Sequence, residues 1–397
     1  MSQDWLPRRA LVVGLARSGR AAVSALERRG VDVVAVDRTL GNDGPEAADD
    51  VDLLVKSPGV PGEALVVSAA RKRGVPVWSE VELGYRLLDG APLYGITGTN
   101  GKTTTTELLG AILRADGRST EVAGNVGTAL TEVADRVGRG DSIVCELSSF
   151  QLEDVETLSC DVAVLLNLEP DHLDRHHSFE AYRDAKLRIF ERARAKVAPR
   201  GFGIDGAIEF SGDDPLPAEP LMPGAHNREN AAAATAAARA AGVGDEAIAE
   251  ALRSFAGVPH RLELVRELRG VRYVNDSKAT NTAAARRGVA AYDAPLHLIL
   301  GGSLKGEDFG PFARELPRNV STVHLIGEAA DELAAALDAA GRAYTRDGDL
   351  ATAVDRAAAA AQPGDVVLLS PASASFDQYA NFEARGDDFR RIVEALR

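Results

Sequence analysis

The sequence predicts an α/β protein with three domains in series, each built on a largely parallel sheet flanked by helices. Short β-branched runs alternate with helical patterns along all 397 residues, which is the signature of repeated β-α-β units. The alternation is broken twice by turn-forming sequence, at "DGAP" (89–92) and around Gly257, Pro259 and His260-Arg261. These breaks divide the chain into 1–91, 92–257 and 258–397. The length also fits two or three domains at roughly 100–200 residues each.

In the first section, "ALVVG" (10–14), "VDVVAVD" (31–37) and "VDLLVKSPG" (51–59) read as strands, and 17–29 reads as a helix carrying Ala21, Ala22, Ala25 and Leu26 on one face. In the second, "LYGIT" (93–97) leads into a helix at 103–114. "SIVCELS" (142–148) and "VAVLLNL" (162–168) are buried parallel strands. "AYRDAKLRIF" (181–190) reads as a helix and 203–226, rich in Gly, Pro and Asp, as a loop with one short strand. "NAAAATAAARAAG" (230–242) is helical by alanine propensity. In the third, "VRYVNDS", "LHLILGG", "TVHLIG" and "DVVLLSP" are strands with helices between them.

Composition narrows the function classes. The net charge is −14, which disfavours a broad nucleic-acid-binding face, because phosphate backbones need dense Lys and Arg. Two cysteines, Cys145 and Cys160, provide neither a disulfide framework nor a cysteine zinc site. The N-terminal apolar run is too short for a signal peptide's core, and no stretch approaches 18 uninterrupted apolar residues. The expectation is a cytoplasmic protein with no membrane span, monomeric by default.

Chemistry concentrates after strands. "GITGTNGKTTTTELL" (95–109) has a strand, a glycine turn, then Lys102-Thr103 opening a helix. Backbone N–H groups at such a helix start face an anion, with the lysine reaching outer phosphates and Thr103 reaching Mg²⁺. The general spacing G-x-x-x-x-G-K-[ST] asks for glycine at 96, where this chain has Ile96. Glu146 closes one predicted strand, and Asp171, His172 and Asp174 follow the next. Ligands gather at that edge of an open α/β sheet, and carboxylates there suit nucleotide-bound Mg²⁺. In the first section "GLARSG" (14–19) stands where a dinucleotide fingerprint would, with Asp37 ending the second strand. Ala16 replaces the middle glycine. On these residues the helix N-terminus would serve an NAD pyrophosphate.

"TGTNGKTTT" (97–105), "ELSSFQLE" (146–153), "EPDHLDRH" (169–176), "AKLRIF" (185–190), "GAHNREN" (224–230), "VPHRLE" (258–263), "NDSKATN" (275–281) and "SPASASFDQYANFEARG" (370–386) together resemble the Mur ligases, ATP-dependent amide-bond ligases of peptidoglycan precursor synthesis. The resemblance spans nearly the whole chain, and its last two motifs resemble the branch that adds D-glutamate. It accounts for Ile96, since the family's loop is T-G-[TS]-N-G-K-[ST]. It implies a Rossmann-like first domain, a P-loop ATPase-like central domain and a Rossmann-like C-terminal domain.

The resemblance also implies roles. Gly98, Thr99, Asn100, Gly101, Lys102, Thr103 and Thr104 would hold ATP phosphates, with Asn227, Asn230, Arg261 and Asp276 at adenine, phosphate and ribose. Thr103 and Glu146 would bind one Mg²⁺ and His172 a second, joined by Lys186 as a CO₂-derived carbamate. Lys102, Glu146, His172 and Lys186 would be the catalytic set. Arg17, Ser18, Asp37, Arg38, Ser57, Pro58 and Gly59 would line the uridine diphosphate site, and Asn125, Ser148 and Gln151 the muramoyl-alanine. Lys278, Thr280, Lys305, Ser375, Phe376 and Phe382 would form the amino-acid pocket. The implied substrates are UDP-N-acetylmuramoyl-L-alanine and D-glutamate. On pattern alone Lys186 reads as a solvated helix lysine, and Phe382 as a core residue sharing a helix with Gln378. Two departures, Ser303 where the family usually has aspartate and a short link between Lys186 and His226, keep open a UDP-sugar-binding relative without turnover. The N-terminal unit alone keeps open an NAD-linked oxidoreductase.

Overall fold

The computed structural model describes residues 5–125, 127–222, 224–304, 306 and 308–397. The chain forms two compact units, Met1–Phe255 and Ala256–Arg397. The first holds two parallel sheets. Strands β1 (Arg9–Val13), β2 (Asp32–Val36), β3 (Leu53–Lys56) and β4 (Val77–Ser79) lie in the order β2-β1-β3-β4. Strands β5 (Leu93–Thr97), β6 (Thr120–Gly124), β7 (Ser142–Glu146), β8 (Val162–Leu165), β9 (Ala195–Pro199) and β10 (Ile208–Phe210) lie in the order β10-β9-β8-β5-β7-β6.

The second unit holds a six-stranded sheet of β11 (Glu263–Leu268), β12 (Val271–Asn275), β13 (Leu296–Gly301), β14 (Val320–Ile326), β15 (Tyr344–Gly348) and β16 (Val366–Leu369). Its order is β11-β12-β16-β13-β14-β15, parallel except for the β11–β12 hairpin. The α/β expectation of three sheets in series is met. Strands β4, β6, β9, β11 and β15 were not foreseen. They are short or partly exposed, so their apolar signal is weak.

In the first sheet β1 lies between β2 and β3, and in the second β5 lies between β7 and β8. Consecutive crossovers therefore leave these strands in opposite directions and open a crevice at their C-terminal ends. The first two sheets share one core, in which Trp78, Val81 and Leu83 join Leu130, Val133, Leu147 and Leu152. Two buried carboxylates from the helix Glu80–Leu87 tighten this junction. Glu80 accepts from the Thr131 N–H and hydroxyl, both at 2.7 Å, and Glu82 accepts from the N–H groups of 156, 157 and 158.

Candidate active site

Strand β5 ends at Thr97, and after a four-residue turn, 98–101, the helix Lys102–Ala115 begins. The turn between needs two glycines. Gly98 has φ +155° and Gly101 φ +80°, a region that side chains disfavour. A Cβ on Gly101 would also run into the Asn230 side chain. Ile96 is fully buried inside β5, paired with Glu146 and Val164, so glycine is not needed there.

The turn is held from the next strand end. Asn167 Oδ1 accepts the N–H of Asn100 at 2.8 Å and of Thr99 at 3.1 Å, and Asn100 Nδ2 donates to Glu169 at 2.9 Å. Thr99 Oγ1 lies 2.9 Å from the Tyr182 hydroxyl. Lys102 Nζ donates to the carbonyls of Gly98 and Thr99, each at 2.9 Å. Lys186 Nζ donates to the same Gly98 carbonyl at 2.8 Å and lies 4.7 Å from the centre of the Tyr182 ring.

Lys186 is therefore not a solvated helix lysine: its residue is 2% exposed, at the inner face of the helix Phe179–Leu187. Burial, with the Lys102 charge second, brings its pKa down to about 7, because both disfavour a charged ammonium. Thr103 is buried in the first turn of its helix, and Thr104 beside it is half-buried.

Glu146 ends β7 next to β5. Its Oε1 accepts from Asn125 Nδ2 at 3.1 Å, while Oε2 is buried without a hydrogen-bond partner among the described residues. Ser148 and Gln151 form a capping box on the short helix Ser149–Leu152 that follows, and Gln151 Nε2 is buried with no hydrogen-bond partner among the described residues. His172 caps the helix Leu173–His176 with φ +52°. Its exposed ring lies 5.0 Å from Phe150, which stacks on His176 at 5.1 Å, and His176 meets the Tyr182 edge at 5.3 Å. Asp171 accepts the His172 N–H. Among the described residues no three His, Cys, Asp or Glu side chains gather as a metal site.

In the first sheet, Gly14 (φ +88°) and Gly19 open and close the turn onto the helix Arg17–Glu27, and a Cβ on Gly19 would strike the Gly14 carbonyl. Ser57 Oγ donates to that carbonyl at 2.7 Å. Asp37 accepts from the Leu15 N–H at 2.6 Å and from the Thr39 N–H and hydroxyl. These bonds, Leu15 first, hold its carboxyl down at about 2. Arg17 donates to the Gly127 carbonyl, while Ser18 is half-buried and Arg38 exposed. Pro58 and Gly59 continue the turn after β3. Asn227 and Asn230 lie on the helix Ala225–Ala240, Asn230 against Gly101.

The remaining predicted residues belong to the second unit. Asp276 follows β12 and accepts from Ser370 Oγ at 2.7 Å and from the Leu262 N–H at 3.3 Å. Burial raises its pKa to about 6. Arg261 is half-buried and interacts with Asp276 through its charge. Lys278 Nζ lies 6.0 Å from the Phe382 ring centre, with Thr280 in the same loop. Ser375 is buried and Phe376 is 68% exposed, both in the loop after β16. Phe382 is the first residue of the helix Phe382–Ala395 and only partly buried, so it does not share a helix with Gln378 and is not core. Asn381 caps that helix, which forces the start past 378. Ser303 Oγ accepts the Asp377 N–H at 3.2 Å. Lys305 and the Asp174 side chain lie outside the described residues.

Sequence reasoning missed Asn167, Tyr182 and Arg385. Arg385 is 1% exposed and donates to the carbonyls of Ser277, Gly301, Ser373 and Ala374 and to Ser277 Oγ. It thereby ties together the loops after β12, β13 and β16. An arginine in a motif gives no sign that it will be buried on carbonyls.

A glycine turn with a Lys-Thr helix start at the switch point of a parallel sheet defines a nucleotide-binding α/β protein of the phosphate-loop class. Residues 96–199 match the Mur ligase middle domain and 260–373 the Mur ligase glutamate ligase domain. The protein called UDP-N-acetylmuramoylalanine--D-glutamate ligase of Myxococcus xanthus is 41% identical, covering 98% of both chains. That of Anaeromyxobacter dehalogenans is 43% identical over 97% of both. The chain belongs to the Mur ligase family. The Myxococcus alignment runs over 449 positions, more than the 397 residues here, so that relative carries segments this chain lacks. Among solved structures, UDP-N-acetylmuramate-alanine ligase of Thermotoga maritima has the same fold, with TM-score 0.60 at 19% identity over 98% of this chain and 99% of that one. E. coli FolC in complex with ADP has TM-score 0.56 at 20% identity over 79% and 92%. No helix among the described residues is long and apolar enough to cross a membrane.

Proposed function

We propose that this chain is an ATP-dependent ligase, acting in the cytoplasm, that joins D-glutamate to the L-alanine carboxylate of UDP-N-acetylmuramoyl-L-alanine. The observation that carries the reading is the convergence of Lys102 and Lys186 on Gly98 beside Glu146, in a chain about 40% identical to ligases of that name over nearly its full length. The functional division follows the sequence: 1–91 for the uridine diphosphate, 92–257 for ATP, 258–397 for the amino acid.

In the reaction the alanine carboxylate attacks the γ-phosphorus of ATP, giving an acyl phosphate and ADP, and the glutamate amine then displaces phosphate from the acyl carbon. The first step brings two anions together. Lys102, the N–H groups of the turn and the N-terminus of the helix Lys102–Ala115 offset that repulsion. Asn167 and Tyr182 hold the turn to its shape, so that little reorganisation accompanies the chemistry. Asn125, Ser148 and Gln151 orient the muramoyl-alanine, and the buried Gln151 Nε2 is a donor suited to it.

The residues present fit Mg²⁺ and a lysine carbamate. The orphaned Glu146 Oε2 and the Thr103 hydroxyl would hold one ion. His172 and a carbamate on Lys186 would hold a second, and a lysine at about pKa 7 offers the neutral amine that CO₂ needs. Bound Mg²⁺ supplies positive charge to the triphosphate. Lys278, Thr280, Lys305, Ser375, Phe376 and Phe382 would receive the glutamate, and Arg261 and Asp276 would contact the nucleotide. The NAD reading is weaker, because the Asp37 carboxylate that would take a ribose already binds Leu15 and Thr39.

The test is ADP release with UDP-N-acetylmuramoyl-L-alanine and a panel of amino acids. Turnover confined to D-glutamate is expected. Turnover with another amino acid alone, or none, would overturn the assignment.

A further inference from the structure

The geometry points to Arg175 as a positioning residue for the uridine-diphosphate end of the substrate, holding the turn 57–60 of the first sheet against the 172–176 segment of the second. This rests on the reading of residues 14–18, 37–38 and 57–59 as the uridine diphosphate site.

Arg175 Nη1 donates to the Pro58 carbonyl at 2.7 Å, and Nη2 donates to the Val60 carbonyl at 2.6 Å. Two bonds from one planar fork fix direction as well as distance. The same guanidinium lies 3.8 Å from the centre of the Phe150 ring, so its plane is held on a third side. The turn it grips is closed by the Val60 N–H on the Ser57 carbonyl at 3.0 Å. The turn in turn packs on Gly14: Ser57 Oγ bonds the Gly14 carbonyl, and a Cβ on Gly14 would lie 2.7 Å from Val60 Cγ2. A shift of 57–60 therefore moves the start of the anion-facing turn 14–19.

A second cation adjoins the turn. Lys56, immediately before the turn, is fully buried, 2.7 Å from Asp154 and 3.7 Å from Glu153. Glu153 lies 3.0 Å from His176 Nδ1, and His176 Nε2 lies 2.9 Å from Ser149 Oγ. The turn is thus tied by two routes to the helix Leu173–His176. Arg28 and Arg29, by contrast, pair with the Asp135 side chain. Arg175 instead bonds the backbone of the turn itself, at two carbonyls whose positions set the turn's shape.

The experiment compares the full-length wild type with Arg175→Gln, Arg175→Lys and Phe150→Leu. UDP and ADP binding are measured by calorimetry, alongside KM for UDP-N-acetylmuramoyl-L-alanine and for ATP. Arg175→Gln is expected to weaken UDP binding and raise KM for the UDP substrate about tenfold or more, the scale of losing a charge-assisted hydrogen bond. ADP affinity and KM for ATP should stay within about twofold, and Arg175→Lys should recover part of the loss. Unchanged UDP binding, or equal loss of UDP and ADP binding, overturns the proposal. If Arg175→Gln does not fold, the same split is read from Arg175→Lys and Phe150→Leu. A wild type that does not bind UDP refutes the underlying site reading instead.

Discussion

Lys102 and Gly101 show how much a single position in the turn decides. Lys102→Ala removes the cation proposed to face the transferring phosphoryl group. Loss of one such donor costs roughly 3 kcal/mol, about a hundredfold or more in rate, so ADP release should fall by at least that factor while the melting curve is retained. Near-normal turnover would show that the turn does not carry the phosphate. Gly101→Ala has a different cost, since its φ of +80° and the Asn230 contact penalise the fold as well. About 1–2 kcal/mol of stability should be lost with the activity, read by denaturant titration. Asp276 gives a pH signature. Its folded pKa of about 6 lies above the ordinary 3.8, so between those values the folded chain keeps a proton that the unfolded chain has released. Stability then falls as pH rises through that window and stays lower above it. Asp276→Asn should therefore raise stability at neutral pH by up to about 3 kcal/mol, with the gain shrinking toward pH 4. A gain that is the same at both pH values would mean that the carboxyl is not strained by burial.

Strand ends are the elements that matter, because β1 and β5 have crossovers leaving them in opposite directions. The strands that define these crevices were legible, as buried β-branched runs, and so were the residues directly after them. Asn167 and Tyr182 were not, because each acts through a hydrogen bond to the turn from residues 67–83 positions away. The helix Phe382–Ala395 makes the same point in the second unit. Its sequence pattern ran it back to Gln378, but the Asn381 cap starts it later, and Arg385 then reaches the loops after three strands. Arg385→Met would leave several buried carbonyls without donors. At roughly 1–3 kcal/mol for each unmet group, the isolated second unit should lose most of its cooperative transition by circular dichroism. A variant melting like wild type would show that water replaces those bonds.

The second compact unit and the section 1–91 differ in how independently each could fold. The second has its own cores, drawn from strands and helices between 262 and 396, so the fragment 256–397 should melt cooperatively alone. The fragment 1–91 should not, because Trp78, Val81 and Leu83 bury against residues of the second sheet, and Glu80 and Glu82 find their donors there. Thermal circular dichroism on both fragments checks this, and a cooperative 1–91 with an unfolded 256–397 would reverse the picture. From its sequence alone this protein declared its α/β class, the glycine turn before the helix Lys102–Ala115 and its family, because strand periodicity, glycine spacing and short motifs are local properties written in consecutive residues. Tertiary structure alone decided that Lys186 is buried beside Lys102 with a lowered pKa, that one Glu146 oxygen has no partner among the described residues, and that Arg175 grips the turn 57–60. Those facts depend on which distant groups share a small, poorly solvated space, and no run of consecutive residues encodes that.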